Sequence, residues 1–483
     1  MSLAKQAAAN AGWSVVLFWA RFGINSVVFL LLARWLSTDE IGAYGVAFGL
    51  VQVFLAVLTS GFPEAVIRDD GRSKGYADTA QSIAMLAGLA MSIFLLIIAQ
   101  PLGQLYNSPH MGQYMLLLAI VPTATAFGTV SEGLIRSGLE LRRLAIRTMF
   151  ALTLAGIVAI WLATSGYGGL ALVAFTIVNN VVAALLNYLL APTRPKFGLD
   201  PALVPRVVSD ATGMGLRGVV KSLINPALLL IAGFFLGTTA SGELYIAVRF
   251  VTLLSSLTMM PANFVSLPFF SKVQHQPEKR ARALREAVGT MSLVTAPLYL
   301  GAAALAPILL PLILGTNGLP AVLLVQIMLL QSAPAVLNNL GLNALTSVGK
   351  KDLALHYAVA QLAVSIVFVC VAAQFSVQAV VLTHTLQYYL LMPWLIFMLA
   401  RHLGGTGPAL GLAAMRPWLA AATMSGLTML VDHLWLSTTL ATLPIVHLLA
   451  LVAVGAILYV PLALLVANQE ARLLIGRVRQ LRS

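Results

Sequence analysis

Residues 12–33 read GWSVVLFWARFGINSVVFLLLA, an apolar run whose single charge is Arg21. About 20 helical residues cross the hydrocarbon core of a bilayer, so this run is long enough to span, with a cation near its middle. It is too long for a signal-peptide core and lacks a convincing cleavage site, so it is expected to stay as the first span. Working outward, apolar runs bounded by charges and turn residues recur to the end of the chain. They predict fourteen spans: 12–33, 41–61, 79–101, 114–134, 148–165, 168–191, 213–236, 243–266, 288–313, 319–341, 354–374, 377–400, 415–435 and 440–467. Two breaks carry no charge: Ser165 to Gly169, and the turn near Gln374.

Composition agrees with an all-α integral membrane protein. Of 483 residues 59% are hydrophobic and 9% charged. A soluble domain carries about a quarter charged residues, and so few charges cannot cover a soluble surface. The net charge of +13 does not point to nucleic acid, because the basic residues punctuate apolar runs instead of gathering in a soluble domain. Cys370, the single cysteine, has no intrachain partner, and no metal-ligand spacing or cofactor motif is present. Neither HExxH, a Walker A loop nor a Gly-x-Ser-x-Gly elbow occurs, so the expectation is a protein that is not an enzyme.

Orientation follows from the basic residues. With the N-terminus in the cytoplasm, the inner segments hold Lys5; Arg68, Arg72, Lys74; Arg136, Arg142, Arg143, Arg147; Arg194, Lys196, Arg206; Lys272, Lys279, Arg280, Arg282, Arg285; Lys350, Lys351; Arg401, Arg416; and Arg472, Arg477, Arg479, Arg482. The outer loops hold only Arg34. The positive-inside bias then places both termini in the cytoplasm. Residues 470–483, mixing leucines with arginines, read as a basic tail on the anionic inner leaflet.

An internal repeat lies at an offset of 200 residues. Arg21-Phe22-Gly23-Ile24-Asn25 aligns with Lys221-Ser222-Leu223-Ile224-Asn225, and without a gap Leu36, Thr38 and Gly42 align with Leu236, Thr238 and Gly242. A cation and an Asn four residues apart share one helix face. The repeat predicts two parallel six-helix lobes, 1–195 (spans 1–6) and 196–402 (spans 7–12), followed by spans 13–14 (403–469) and the tail (470–483).

Four cations fall inside spans: Arg21, Arg217, Lys221 and Arg249. None of the acids lies deep in a span; Glu132 and Asp210 come closest. An isolated charge at mid-bilayer costs about 3 kcal/mol on insertion scales. Such cations either line a water-filled cavity or snorkel to an interface. Arg21 and Lys221 have the longer reach to a headgroup, and they are the stronger cavity candidates. Amides accompany them, among them Asn25, Asn225, Asn338, Gln361 and Gln387. Singly these read as interhelical hydrogen bonds; together they suit a hydrated space that accepts sugar hydroxyls. Pro226, directly after Asn225, offers a place for the seventh span to bend.

The chain resembles the bacterial polysaccharide transport family of lipid-linked oligosaccharide flippases, in the superfamily shared with multidrug extrusion transporters. The residues that carry this are Trp13-Ser14-Val15-Val16, Arg34-Trp35-Leu36-Ser37-Thr38-Asp39-Glu40-Ile41-Gly42-Ala43-Tyr44 and Gly61-Phe62-Pro63-Glu64-Ala65-Val66-Ile67-Arg68, with the turns Ser137–Arg143 and Ser347–Lys351. The resemblance implies two six-helix lobes around a central cavity, with two extra C-terminal helices. It implies an undecaprenyl-diphosphate-linked oligosaccharide as cargo, moved from the cytoplasmic to the periplasmic leaflet of the bacterial inner membrane. A first-span cation that faces the cavity in the related lipid II flippases matches Arg21; Lys221 follows through the internal repeat. The expected substrate-binding residues are thus Arg21, Asn25, Arg217, Lys221, Asn225 and Arg249. Expected partners are the lipid-linked oligosaccharide, membrane lipids and polysaccharide polymerase machinery, with no nucleic acid. The rival readings are a cation-coupled multidrug antiporter and, from another class, a membrane glycan polymerase or ligase, which the short outer loops disfavour.

Overall fold

The computed structural model describes residues 3–69, 73, 75–138, 140–272, 277–404, 407–436 and 443–472, with side chains left aside at 3–11, 214, 215, 217, 259–272, 277, 278 and 436. Among the described residues there are helices and no strands. In order they are α1 (Leu3–Trp35), α2 (Thr38–Asp69), α3 (Tyr76–Leu105), α4 (Pro109–Leu118), α5 (Ile120–Ser137), α6 (Leu141–Thr164), α7 (Leu170–Leu190), α8 (Val204–Lys272), α9 (Pro277–Leu314), α10 (Ala321–Leu329), α11 (Ser332–Ser347), α12 (Lys351–Ala372), α13 (Val377–Leu403), α14 (Gly407–Val431) and α15 (Pro444–Val466). By length and apolarity, eleven described helices can cross a membrane, or twelve when the bent pair α10–α11 counts as one span. The described parts of the fourteen expected runs are compatible with the fifteen helices above and the π-turn Asp432–Leu436. The difference in count arises because α8 carries two runs and α14 carries one more.

Local chemistry sets the breaks. Ser37 and Glu40 form a capping box at the start of α2: the Ser37 hydroxyl accepts from the Glu40 amide at 3.3 Å, and the Glu40 carboxylate accepts from the Ser37 amide at 3.0 Å. The other Glu40 oxygen accepts from the Gly169 amide at 3.1 Å, tying α2 to the turn between α6 and α7. Ser376 caps α13 by accepting from the Ala379 amide at 3.1 Å, which fixes the uncharged break near Gln374. Helical dihedrals continue through Pro226, and α8 breaks instead at Gly237, with φ 86° and ψ 175°. That conformation is open to glycine and costly for a residue with a Cβ, so Gly237 divides the seventh run from the eighth. The fourth and tenth runs are each two helices, α4–α5 and α10–α11, the latter bent by 52°.

The chain packs as two compact units, Met1–Tyr245 and Ile246–Ser483. In the first, α1 lies on α6, and α5 lies among α2, α3 and α7. Its core includes Leu58, Phe62, Val66, Tyr76 and Val130. In the second, α9, α11, α12, α13 and α14 enclose Val288, Leu337, Tyr357, Leu395 and Leu399. Arg280 locks this unit at one end. Its guanidinium donates to the carbonyls of His402 and Leu403 at 3.1–3.2 Å, satisfying carbonyls that the end of α13 leaves open.

The basic segments between runs are largely helical extensions rather than loops. Arg142 and Arg143 start α6, and Lys279, Arg280, Arg282 and Arg285 lie in the opening turns of α9. Arg147 corrects the expectation of a cytoplasmic-segment residue. It lies in the second turn of α6 and is 7% exposed. The helix starts seven residues before the expected span because Arg147 finds a buried anionic partner. The tail expected over 470–483 lies outside the described residues beyond Arg472.

Candidate anion site in the first unit

Helices α2 and α8 run side by side in opposite directions, and small residues mark the contact. A Cβ on Gly49 would stand 3.7 Å from the Pro226 Cα, one on Gly218 would stand 3.1 Å from the Ser60 hydroxyl, and one on Gly61 would meet the Ala211 carbonyl at 2.5 Å. The segment 218–226 is therefore level with 49–60 of α2. Within it Lys221, Ser222 and Asn225 are exposed, and on the facing level of α2 Gln52 and Thr59 are exposed as well. Lys221 and Asn225 share one face of α8 at a four-residue spacing.

Helix α1 divides in two. Its second half is packed, with Val28, Phe29, Leu32 and Ala33 buried, and a Cβ on Gly156 of α6 would touch the Val28 side chain. From residue 12 to residue 27 no side chain is buried, and Arg21 is exposed. The Asn25 amide donates to the Arg21 carbonyl at 2.9 Å, so this donor is turned back onto its own helix. Aromatic rings flank the cation: Phe18 stacks on Phe22 at 6.0 Å and Trp19 meets Phe22 edge-on at 5.9 Å.

A charge network joins α5, α6 and α7. Glu132 on α5 accepts from Arg147 of α6 at 2.8 Å, more closely from Arg136, and from the Asn187 amide of α7 at 3.4 Å. The charge of Arg21 also acts on Glu132 and Arg147. Because a Cβ on the neighbouring Gly133 would meet Pro63 at 3.0 Å, Glu132 lies level with the stretch of α2 just past Ser60. Arg21 and Lys221 are carried by separate helices of the first unit, α1 and the first arm of α8. Arg136 also lies 3.9 Å from Glu64, so within these contacts two guanidiniums are balanced by two carboxylates.

Of the expected site residues, the first unit brings Arg21, Asn25, Lys221 and Asn225 to exposed or half-buried positions on α1 and α8. Arg249 is half-buried on the second arm of α8, in the second unit. The Arg217 side chain lies outside the described residues. Sequence reasoning missed Glu132 and Arg147 as a pair. The signal was the four-residue step from Arg143 to Arg147, which continues a helix. It also missed Gln52 and Thr59, seven residues apart on one face of α2.

A protein-family model described as "Polysaccharide biosynthesis protein" matches residues 31–323. The chain belongs to this polysaccharide biosynthesis protein family. Among curated relatives, it is 24% identical over 303 residues to the succinoglycan biosynthesis transport protein ExoT of Rhizobium meliloti (strain 1021). That match covers 63% of this chain and 61% of the relative. Among solved structures, this polysaccharide biosynthesis protein is similar to the lipid II flippase MurJ in an inward closed conformation, with a TM-score of 0.75 and 13% identity over 95% of this chain and 99% of that one. An inward-facing MATE multidrug resistance transporter of the MOP superfamily gives a TM-score of 0.61 and 14% identity over 85% and 98%. The fold is the MurJ/MATE transporter fold, and the chain is a multi-pass membrane protein of that fold.

Proposed function

We propose that this polysaccharide biosynthesis protein is a flippase. It moves an undecaprenyl-diphosphate-linked oligosaccharide, a repeat unit of O-antigen, capsule or exopolysaccharide, from the cytoplasmic to the periplasmic leaflet by alternating access. The observation that supports this most is the exposure of Arg21 and Lys221, each with an Asn one turn on, in membrane helices of a family tied to polysaccharide synthesis. A diphosphate is the anion such cations would hold. Arg21 offers a bidentate fork, and Lys221 offers a compact charge. Arg217 would join them, and Arg249 would attract or release the anion on the periplasmic side. Asn225, Gln52 and Thr59 would meet glycan hydroxyls, and Trp19 and Phe22 would stack on a sugar ring. The prenyl tail would stay in lipid. The relatives fit: one is named a succinoglycan transport protein and another a lipid II flippase. The setting would be the bacterial inner membrane, with both termini cytoplasmic and polysaccharide polymerase machinery downstream.

The test is reconstitution. Purified protein in liposomes carrying a fluorescent lipid-diphosphate-linked oligosaccharide should expose the inner-leaflet pool to an impermeant glycosidase within minutes. Protein-free liposomes should not. Efflux of cationic dyes in exchange for ions, with no glycan flipping, would instead support the antiporter reading suggested by the MATE likeness.

A further inference from the structure

A proline inside a helix has no N–H for the carbonyl four residues before it. In the second unit three carbonyls freed in this way are taken by side chains of neighbouring helices. Pro334 frees Leu330, at the 52° bend between α10 and α11. The Leu330 carbonyl accepts from the Tyr389 hydroxyl of α13 and from the Trp418 indole of α14, the latter at 3.1 Å. Pro297 frees Leu293 of α9, and the Leu293 carbonyl accepts from the Tyr459 hydroxyl of α15 at 2.9 Å. Further along α9, Pro307 frees Ala303, whose carbonyl accepts from the Gln326 amide of α10 at 2.9 Å.

The pattern has a direction. Three of the four donors belong to α13, α14 and α15, and all the acceptors belong to α9 and the α10–α11 bend. The donor helices carry prolines of their own, Pro393, Pro417 and Pro461, which free the carbonyls of Tyr389, Ala413 and Ile457. In the first unit Pro63, Pro101 and Pro122 free Thr59, Ile97 and Leu118. Among the described residues none of these six carbonyls accepts from a side chain. Proline kinks alone therefore do not recruit donors; the ones on α9 and at the α10–α11 bend do.

Packing puts the donors where they can act together. Trp418 and Tyr459 both lie against the buried trio Ala296, Leu300 and Ala421, so α14 and α15 meet α9 beside Pro297. Tyr459 also packs on Leu293 itself. From that contact Trp418 reaches across to Leu330, and its ring meets Tyr389 edge-on at 6.5 Å. Two donors on one carbonyl use both of its lone pairs. Each is a single hydrogen bond of the kind that is weak between membrane helices, so it biases a bend without freezing it.

We infer that α14 and α15, the two helices outside the internal repeat, brace the proline bends of the second unit. Trp418 and Tyr459 are positioning residues that hold α10–α11 and α9 bent, and they let go as these helices straighten. The bearing on transport rests on the flippase reading, in which bent and straightened forms belong to different stages of the cycle.

Two measurements test this separately. Full-length protein carrying C370S, L323C and K350C is spin-labelled at the two exposed positions flanking the bend and placed in lipid nanodiscs, and the distance between the labels is read by pulsed electron paramagnetic resonance. At 1.5 Å of rise per residue, straightening the 52° bend lengthens this distance by about 3 Å. W418F, which loses the indole N–H, should shift the distribution toward the longer distance, and adding Y389F should shift it further. P334A gives the Leu330 carbonyl a donor from its own helix, so in that background W418F should change nothing more. A distribution that W418F and Y389F leave as in the wild type overturns the brace, because proline alone then sets the bend. Y459F removes one oxygen and keeps the ring. It should slow glycan flipping in proteoliposomes several-fold, and in P297A, where α9 satisfies Leu293 itself, it should cost nothing further. Flipping indifferent to Y459F would refute the role in transport. A wild-type protein that flips no glycan would refute the proposed function, while the label distances would still decide the brace.

Discussion

Gly42 and Gly242 fit into each other's helices reciprocally. A Cβ on Gly42 would stand 1.8 Å from the Thr238 carbonyl oxygen, and a Cβ on Gly242 would stand 1.8 Å from the Thr38 carbonyl oxygen. Residues 38 and 42 thus meet residues 238 and 242 as equivalent partners, at the spacing of the internal repeat. Thr238 adds a short hydrogen bond to Asp39. Overpacking costs about 1–3 kcal/mol, and a backbone oxygen yields less readily than a side chain. G42A and G242A should each lower the melting temperature of the detergent-solubilised protein by similar amounts, at the upper end of that range. Normal melting in either would show that the helices part freely there.

That contact explains why the repeat was legible. Helix ends and tight approaches depend on few residues of special type, so Thr38, Gly42 and their counterparts stand out in apolar sequence. The same holds for Ser37 with Glu40 and for the uncharged turn at Ser165–Gly169. Legibility failed where an interaction links distant residues. Arg147 reads as a loop cation until Glu132, fifteen residues earlier, is placed against it. Trp418 and Tyr459 read as ordinary aromatic residues of a span until the carbonyls freed by Pro334 and Pro297 are set against them. The break at Ala119 between α4 and α5 has a local cause, Pro122 three residues on, which has no N–H to donate to the Leu118 carbonyl.

Glu132 is the partner that makes Arg147 tolerable inside the helix bundle. The Arg147 side chain is 8% exposed and its carboxylate partner 22%. Removing one member of a buried pair costs about 3 kcal/mol or more, because the remaining charge is left uncompensated. E132Q should therefore destabilise the protein by about 3 kcal/mol in denaturant or thermal unfolding, and adding R147M should recover part of the loss. If E132Q alone were neutral, water would have to reach Arg147, and the site would be wetter than its burial indicates.

The distribution of basic residues makes a topological prediction. A reporter active only in the cytoplasm should work when fused after Arg143 or Lys279 and stay silent when fused near Gly166 or Asn317. Gly166 lies in the turn between α6 and α7, and Asn317 lies in the turn after α9. Activity at Gly166 would invert the orientation and with it the direction of transport.

The strongest test joins charge to energy. A membrane potential is worth about 2.3 kcal/mol per charge per 100 mV, so a diphosphate with about two charges gains roughly 4–5 kcal/mol on outward passage at that potential if it crosses uncompensated. Arg21 and Lys221 would offset the desolvation of that anion rather than supply the drive. R21A and K221A should each cut potential-driven glycan flipping by tenfold or more while leaving insertion and melting unchanged, since both side chains are exposed and neither residue is buried in the core. R21K should keep part of the activity, because the charge survives and the bidentate fork does not. The measurement is flipping in proteoliposomes under an imposed potential without ion gradients. A rate indifferent to the potential, with both alanine variants fully active, would remove the anion from the mechanism and leave a neutral or cationic cargo as the better reading of these helices.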